Sequence, residues 1–414
     1  IPIYNSQVKV NLDKEGIIRS LFDNTYSISP LLNSSFPDKN AINDYLNSIS
    51  PETRHPHVVS ENNIYFPEKG LLIPAVRLDI RESDNSHYEV VLSPLSKVLQ
   101  IHDLNRYLIF PDSVVTASVF IPDPLTSAGV IYGGAYSDNN DSANAELLAE
   151  QSSVNIIVDF TNDTFRLSGP YIKIMEFSNP VTVPAYSLLP SFNYTRSEQE
   201  FEDVNCYYHI NAFQQYMQSL GFNLVNYQIG VDAHALNGQD NSMFDTDKLY
   251  FGEGCVDDAE DADVIIHEYG HAISASAAPG TWVGFERKAM DEGLGDYLAT
   301  SYTRDIHQYK WENMFGWDGH NECWPGRTAA TTKVYPADLG FDIHDAGEIW
   351  SSTLMQIWGS TGRQTTDRIL LQSLYSWASN ISMTDAAYLF LDADSLLNGG
   401  ANYIVSYYWF EQRG

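Results

Sequence analysis

The segment His267-Glu268-Tyr269-Gly270-His271 holds the residues best suited to chemistry. On an α-helix each residue turns about 100°, so two histidines four apart project from one face, with their imidazoles close enough to grip a single ion. Neutral imidazole suits Zn²⁺, and a catalytic zinc keeps three protein ligands and one open position for water. Glu268, beside the first histidine, points toward that open side, where a carboxylate can take a proton from the water. The third ligand must come from elsewhere. Downstream, Asp291-Glu292-Gly293-Leu294-Gly295-Asp296 puts Glu292 and Asp296 on one helix face at i, i+4. Glu292 is then the third ligand, and Asp296 accepts the outer N–H of a ligand histidine and fixes its tautomer. The competing reading is a pair of core histidines around an incidental glutamate, with Glu292 and Asp296 on a solvated acidic face. The two segments together favour the metal.

The elements that must position these side chains are legible around them. Asp257-Asp258-Ala259-Glu260-Asp261 supplies cap candidates and negative charge for a helix start, Val264, Ile265, Ile266, Ala272 and Ile273 are apolar, and Pro279-Gly280 stops the helix. The chain between His271 and Glu292 is long enough for a turn and a second helix packed alongside. A long amphipathic helix is expected from Glu198 to Phe222, with His209 in it for packing rather than chemistry. Beyond Arg363 the pattern is helical, through Leu374, Ala386 to Leu397 and Ile404 to Phe410. The opening is different. Val8, Val10 and Leu12 alternate with polar residues, Asp13-Lys14-Glu15-Gly16 reads as a turn, and Ile17 to Phe22 returns as a strand. A short helix at 41–49 and strands at 71–80, 87–93 and 97–103 follow, then further strands and loops over 105–195. The oxygen-rich Asp138-Asn139-Asn140-Asp141-Ser142 lacks a regular ligand spacing and reads as a solvated turn rather than a calcium loop.

Composition bounds the function. At 414 residues the chain is too long for one ordinary core, and 43% hydrophobic with 13% aromatic residues excludes a disordered chain. A net charge of -31 argues against nucleic acid or an anionic membrane surface as partner. No apolar run approaches the roughly 20 residues of a transmembrane segment. With no initiator Met and no signal peptide, Ile1 is expected to be a processed or engineered start. Cys206, Cys255 and Cys323 allow at most one bridge, and no Cys-x-x-Cys pair exists to carry the chemistry.

His267-Glu268-Tyr269-Gly270-His271 followed by Asp291-Glu292-Gly293-Leu294-Gly295-Asp296-Tyr297 resembles the gluzincin zinc peptidases, and among them the thermolysin and fungalysin relatives. The likeness extends to Asn241-Ser242-Met243-Phe244 with Lys248 to Gly254, similar to the edge strand that binds peptide backbone in that group. Asp342-Ile343-His344-Asp345-Ala346-Gly347-Glu348 resembles the fungalysin-type segment that brings a histidine to the oxyanion. The resemblance implies an α+β fold: a zincin-like two-lobe metallopeptidase with a β-rich N-lobe and a mostly helical C-lobe, preceded by a propeptide-like α/β segment. The divisions expected are 1–105, propeptide-like in part or an accessory β-rich domain; 106–300, the N-terminal catalytic lobe with the zinc helix; and 301–414, the helical lobe.

The resemblance further implies a secreted, zymogen-derived endopeptidase with Zn²⁺ on His267, His271 and Glu292. Glu268 is its general base, and His344 its oxyanion donor, oriented by Asp342 or Asp345. Asn241 and Ser242 bind substrate backbone, and Asp263 matches a calcium-binding position of the thermolysin group, making Ca²⁺ a second expected ion. Arg327, between the Glu292 helix and His344, is a candidate clamp on the substrate carbonyl. A peptide or protein substrate and an intramolecular propeptide contact are the expected partners. One departure stands out. Where the thermolysin pattern has an oxyanion-binding tyrosine, this chain has Gly280-Thr281-Trp282, which leaves the role absent or moved to Tyr297 or another residue. The alternatives are a zinc aminopeptidase, which lacks here the expected upstream Gly-x-Met-Glu-Asn segment, and a catalytically weak zinc-containing binding protein, for which Glu268 is superfluous.

Overall fold

The computed structural model describes residues 7–12, 18–24, 35–49, 57–68, 71–81, 87–103 and 112–414. The chain forms two compact units, Ile1–Leu108 and Ile109–Gly414. In the first, β1 (Gln7–Leu12) and β2 (Ile18–Asn24) pair antiparallel as a separate ribbon; the turn expected at 13–16 lies outside the described residues. The helix α1 (Lys39–Ile49) precedes an antiparallel sheet of β3 (His57–Glu68), β4 (Leu71–Arg81), β5 (His87–Leu92) and β6 (Val98–Asp103), in that spatial order. Because side chains alternate along a strand, Val76, Leu78 and Ile80 of β4 share one face, where they pack with Val90, Leu92 and the helix residues Ile42 and Tyr45. Ala75 and Val91 turn to the other face with Ile64.

The second unit begins with β7 (Asp112–Phe120), the one-turn helices α2 (Pro124–Ala128) and α3 (Ala145–Ala149), β8 (Gln151–Thr161), β9 (Thr164–Arg166), β10 (Ile172–Ile174), β11 (Tyr186–Ser187) and β12 (Ser191–Phe192). A five-stranded sheet runs β11-β9-β8-β7-β12. The long α4 (Glu200–Ser219) covers it with Phe201, Val204, Ile210 and Phe213 buried. Then come β13 (Ile229–Asp232), β14 (Ser242–Asp245) and β15 (Lys248–Phe251), in a second sheet ordered β10-β13-β15-β14. Its first three strands are parallel, and β14 closes it antiparallel as an edge. From here the unit is almost wholly helical: α5 (Ala262–Ala277), α6 (Phe285–Ile306), then, after the short pair β16 (Asn313–Met314) and β17 (Arg327–Thr328), α7 (Ile343–Thr361), α8 (Arg363–Leu374), α9 (Met383–Asn398) and α10 (Tyr403–Arg413). The fold is thus α+β, with a β-rich N-terminal part and a helical C-terminal part.

Two side chains differ from their sequence reading. Asp138 is not solvated: its carboxylate and carbonyl accept from Arg196, a fully buried guanidinium that also pairs in bidentate fashion with Glu260. Tyr297 is no candidate for the oxyanion, since its hydroxyl is buried and donates to Asp367 at 2.6 Å. His209 is a core histidine, bound to the Tyr302 hydroxyl and the Phe120 carbonyl. Cys255 and Cys323, 68 positions apart, form a disulfide, and Cys206 is free and buried.

Candidate metal centre

Asp261 caps α5, its carboxylate accepting from the backbone N–H of Asp263 at 2.8 Å, after a single 3-10 turn over Asp258–Glu260. The helix is buried on nearly every side, as expected of a helix apolar most of the way round. Its partner α6 lies so close that a Cβ on Gly270 would stand 2.9 Å from the Gly295 Cα, and one on Gly295 would stand 2.7 Å from His267 Nδ1. Only glycine at both positions permits that approach. It brings the Glu292 side of α6 against the histidine face of α5.

The consequence is a carboxylate spanning two imidazoles. Glu292 Oε2 lies 3.3 Å from His267 Nε2, and Glu292 Oε1 lies 3.8 Å from His271 Nε2. The rings themselves are 4.9 Å apart and nearly perpendicular. Donors in a tetrahedral zinc site with bonds of ~2.1 Å stand ~3.4 Å from one another, so this N, N, O set has the spacing and the donor chemistry for such an ion. Glu292 Oε2 is buried with no hydrogen-bond partner, as is Glu268 Oε2. Glu268 also brings a donor atom within 4.8 Å of both histidines, in one of two side-chain groups among the described residues that could hold an ion.

The outer nitrogens of both rings face carboxylates. His271 Nδ1 is hydrogen-bonded to Asp291 Oδ2 at 2.8 Å. His267 Nδ1 lies 2.9 Å from Asp296 Oδ1, an approach too oblique for a good hydrogen bond. Asp291 is the residue sequence reasoning overlooks. The signal for it was the requirement that each ligand histidine have an outer partner, of which Asp296 supplies only one. Asp291 is itself held by the buried Arg287, whose Nη1 donates at 2.7 Å, and by the Ser274 hydroxyl. Burial disfavours the charged form of His271, but Asp291 and the charge of Glu292 outweigh it and raise its pKa to about 10. Burial likewise opposes the charge on Glu292, yet His267 and His271 hold its carboxyl well below the usual range. The pocket calls for positive charge, as protons on the rings or as a metal cation in their place.

His344 sits in the first turn of α7, capped by Asp342, and its Nε2 comes within 3.4 Å of Glu292 Oε2 while Nδ1 lies 3.2 Å from Asp342 Oδ1. Arg327 donates to Asp296 at 2.8 Å and stands 3.8 Å from Glu292 Oε2. Asn241, Ser242, Arg327 and His344 all line the cleft of about 990 Å³ into which Glu268 and the histidines open. Asp263 is apart from them: it is buried, Oδ2 accepts from the Phe315 N–H at 2.9 Å, and it belongs to neither of the two ion-capable groups.

In sequence the chain resembles metallopeptidases of the thermolysin/fungalysin type. It is 22% identical over 307 residues to an extracellular metalloproteinase, mep, of Aspergillus niger, a match covering 59% of this chain and 49% of that protein. An extracellular metalloproteinase of Fusarium vanettenii is 24% identical over 293 residues, covering 54% and 46%, and extracellular metalloproteinase 3 of Trichophyton tonsurans 24% over 309, covering 59% and 48%. The chain therefore spans about half the length of the curated relatives it matches. No family model matches it. Among solved structures, the precursor of protealysin, a metalloproteinase from Serratia proteamaculans, shows a loose likeness, with a TM-score of 0.43 at 11% identity over 51% of this chain and 78% of that one. Among the described residues no helix is long and apolar enough to cross a membrane.

Proposed function

We propose that the chain is a zinc-dependent endopeptidase that hydrolyses peptide bonds of protein substrates and, like the relatives named extracellular, works outside the cell. The observation that carries this reading is the Glu292 carboxylate set between two imidazoles, with an unpartnered Glu268 oxygen buried in the same cleft. His267, His271 and Glu292 hold the ion, and Asp291 and Asp296 fix the rings from behind. Bound there, zinc supplies Lewis acidity and brings the pKa of a water toward about 7.

Glu268 would accept a proton from the attacking water and deliver it to the leaving amine. His344, steadied by Asp342, faces the negative charge developing on the carbonyl oxygen. Among the described residues β14 has no strand on its outer edge, which can pair with an extended substrate, with Asn241 and the backbone at Ser242 anchoring it. Arg327 lines the same cleft, but its bond to Asp296 gives it a second task, holding that carboxylate against His267. Residues 1–105 serve as a propeptide-like segment, 106–300 as the lobe carrying the metal helix and 301–414 as the helical lobe.

The test is Glu268→Gln. Its zinc content should equal that of the parent protein while cleavage of a protein substrate falls by about 10²–10⁴. Chelation should stop the parent protein, and added zinc should restore it. Full activity in the variant means a different base, and activity indifferent to chelation removes the metal from the reaction.

A further inference from the structure

The cleft holds a second group of acidic side chains that the hydrolytic machinery does not use. Asp240, Asp258 and Asp318 present oxygens within 4.8 Å of one another, and all three line the cleft beside Glu268. Asp258 and Asp318 are 2% and 4% exposed, whereas Asp240 is exposed at the rim. Each deep carboxylate has one oxygen spoken for: Asp258 Oδ2 takes the Ser242 hydroxyl, and Asp318 Oδ2 takes the Trp324 indole N–H at 3.1 Å. The other oxygen of each, Oδ1, is buried and has no partner. Among the described residues no lysine or arginine stands within ion-pair distance of any of the three. Elsewhere in this unit, buried carboxylates close to an arginine do pair with it, as Glu260 does with Arg196 and Asp291 with Arg287.

Such a recess calls for a cation from outside. Burial pushes the Asp318 carboxyl well up, and the charges of Asp258, Asp261 and Asp240 add to it. At Asp258 burial does the same, eased by the Ser242 hydroxyl and reinforced by Asp240 and Glu268. Glu268, the proposed base, lines the same cleft as the recess. The acidic rim is fixed by backbone: Gly252 and Gly254 leave no room for a Cβ, because Gln239 and Asp240 pack directly on them. A divalent ion such as calcium takes six to eight oxygens, most of which would have to come from outside these three side chains. A long side chain with an apolar stem and a charged tip suits deep carboxylates in a cleft also lined by Val264 and Phe315.

We propose that Asp240, Asp258 and Asp318 form a recess for the ammonium or guanidinium of a substrate lysine or arginine, directing cleavage to bonds beside basic residues. The inference rests on the endopeptidase reading above, and its test separates the two. Cleavage sites in a digested protein mixture are mapped for the zinc-loaded protein and for Asp240→Asn, Asp258→Asn and Asp318→Asn. Lysine or arginine should dominate one fixed position beside the cut, and each variant should lower the ratio of kcat/KM for a lysine peptide to that for its leucine counterpart. The drop should be at least tenfold for the two deep residues and a few-fold for Asp240→Asn, which sits on the surface and keeps the test open if a deep variant fails to fold. Cleavage without any basic preference overturns the recess and leaves the peptidase. No cleavage of any peptide overturns the peptidase and the recess with it. Release of single N-terminal residues whatever their side chain puts an α-ammonium in the recess and overturns the proposal. So does calcium binding that is lost in Asp318→Asn with no change in the lysine-to-leucine ratio.

Discussion

Replacing Asp291 with asparagine should weaken zinc binding through a tautomer rather than through a lost ligand. The Asp291 carboxylate accepts on both oxygens, from His271 on Oδ2 and from Arg287 and Ser274 on Oδ1. An amide has only one accepting oxygen. If that oxygen stays with Arg287, the NH₂ faces His271 Nδ1, which must then become the acceptor and move its proton to Nε2, the nitrogen that turns to Glu292. Loss of such an orienting partner costs 10–100-fold in metal affinity, or about 1.4–2.7 kcal/mol. The metal-free protein should also lose about 3 kcal/mol. That is the low end for an orphaned buried charge, because Arg287 keeps hydrogen bonds to the Ser274 and Thr281 hydroxyls and its place over the Trp377 ring. Chelator competition measures the first effect, and thermal unfolding with and without zinc the second. The zinc-induced rise in melting temperature should shrink along with the affinity. Zinc affinity within about threefold of the parent, alongside a stability loss, would show that Asp291 serves Arg287 alone and that the tautomer argument is wrong.

His344→Ala should lower kcat by about 10²–10³ with zinc content unchanged, read by turnover and metal analysis on the same samples; equal loss of both would make His344 a metal ligand instead. For His209, burial lowers the pKa from 6.5 to about 4, partly offset by the Phe120 carbonyl. The unfolded chain therefore binds a proton in that window that the folded chain refuses. The stability this represents, up to about 3 kcal/mol, is whole above pH 6.5 and is lost as pH falls toward 4. In denaturant titrations His209→Gln should accordingly show a gap to the parent that narrows across this range, whereas a gap constant from pH 7 to pH 4.5 would mean that His209 does not titrate there.

The parts of the site legible in the sequence are those governed by local spacing. Two histidines a helical turn apart, and Glu292 with Asp296 one turn apart on the next helix, follow from the 3.6-residue period. The helix start within residues 257–261 follows from capping side chains, and its end short of Pro279 from proline's missing N–H. Asp291 is harder to see because neighbours on a helix point about 100° apart, so its closeness to His271 depends on how far α6 is rotated. The strand β3 hides behind the polar run Ser60-Glu61-Asn62-Asn63, which breaks the apolar alternation. Tyr297 faces the core because Asp367, 70 positions later, waits there to accept its proton. The group Asp240, Asp258 and Asp318 leaves no trace in sequence, for its members come from three segments with no periodic relation, and an acidic chain scatters such residues everywhere.

The bridge between Cys255 and Cys323 gains meaning from its neighbours. Cys255 stands three positions before Asp258, and Cys323 five after Asp318. Two like charges about 5 Å apart repel by roughly 3 kcal/mol at an effective dielectric of ~20, a strain that two loose segments would relieve by drifting apart. A crosslink closing a loop of this length is worth about 4 kcal/mol in lost chain freedom. The sulfurs thus act as a rivet between two banks whose carboxylates, when both are charged, push each other away.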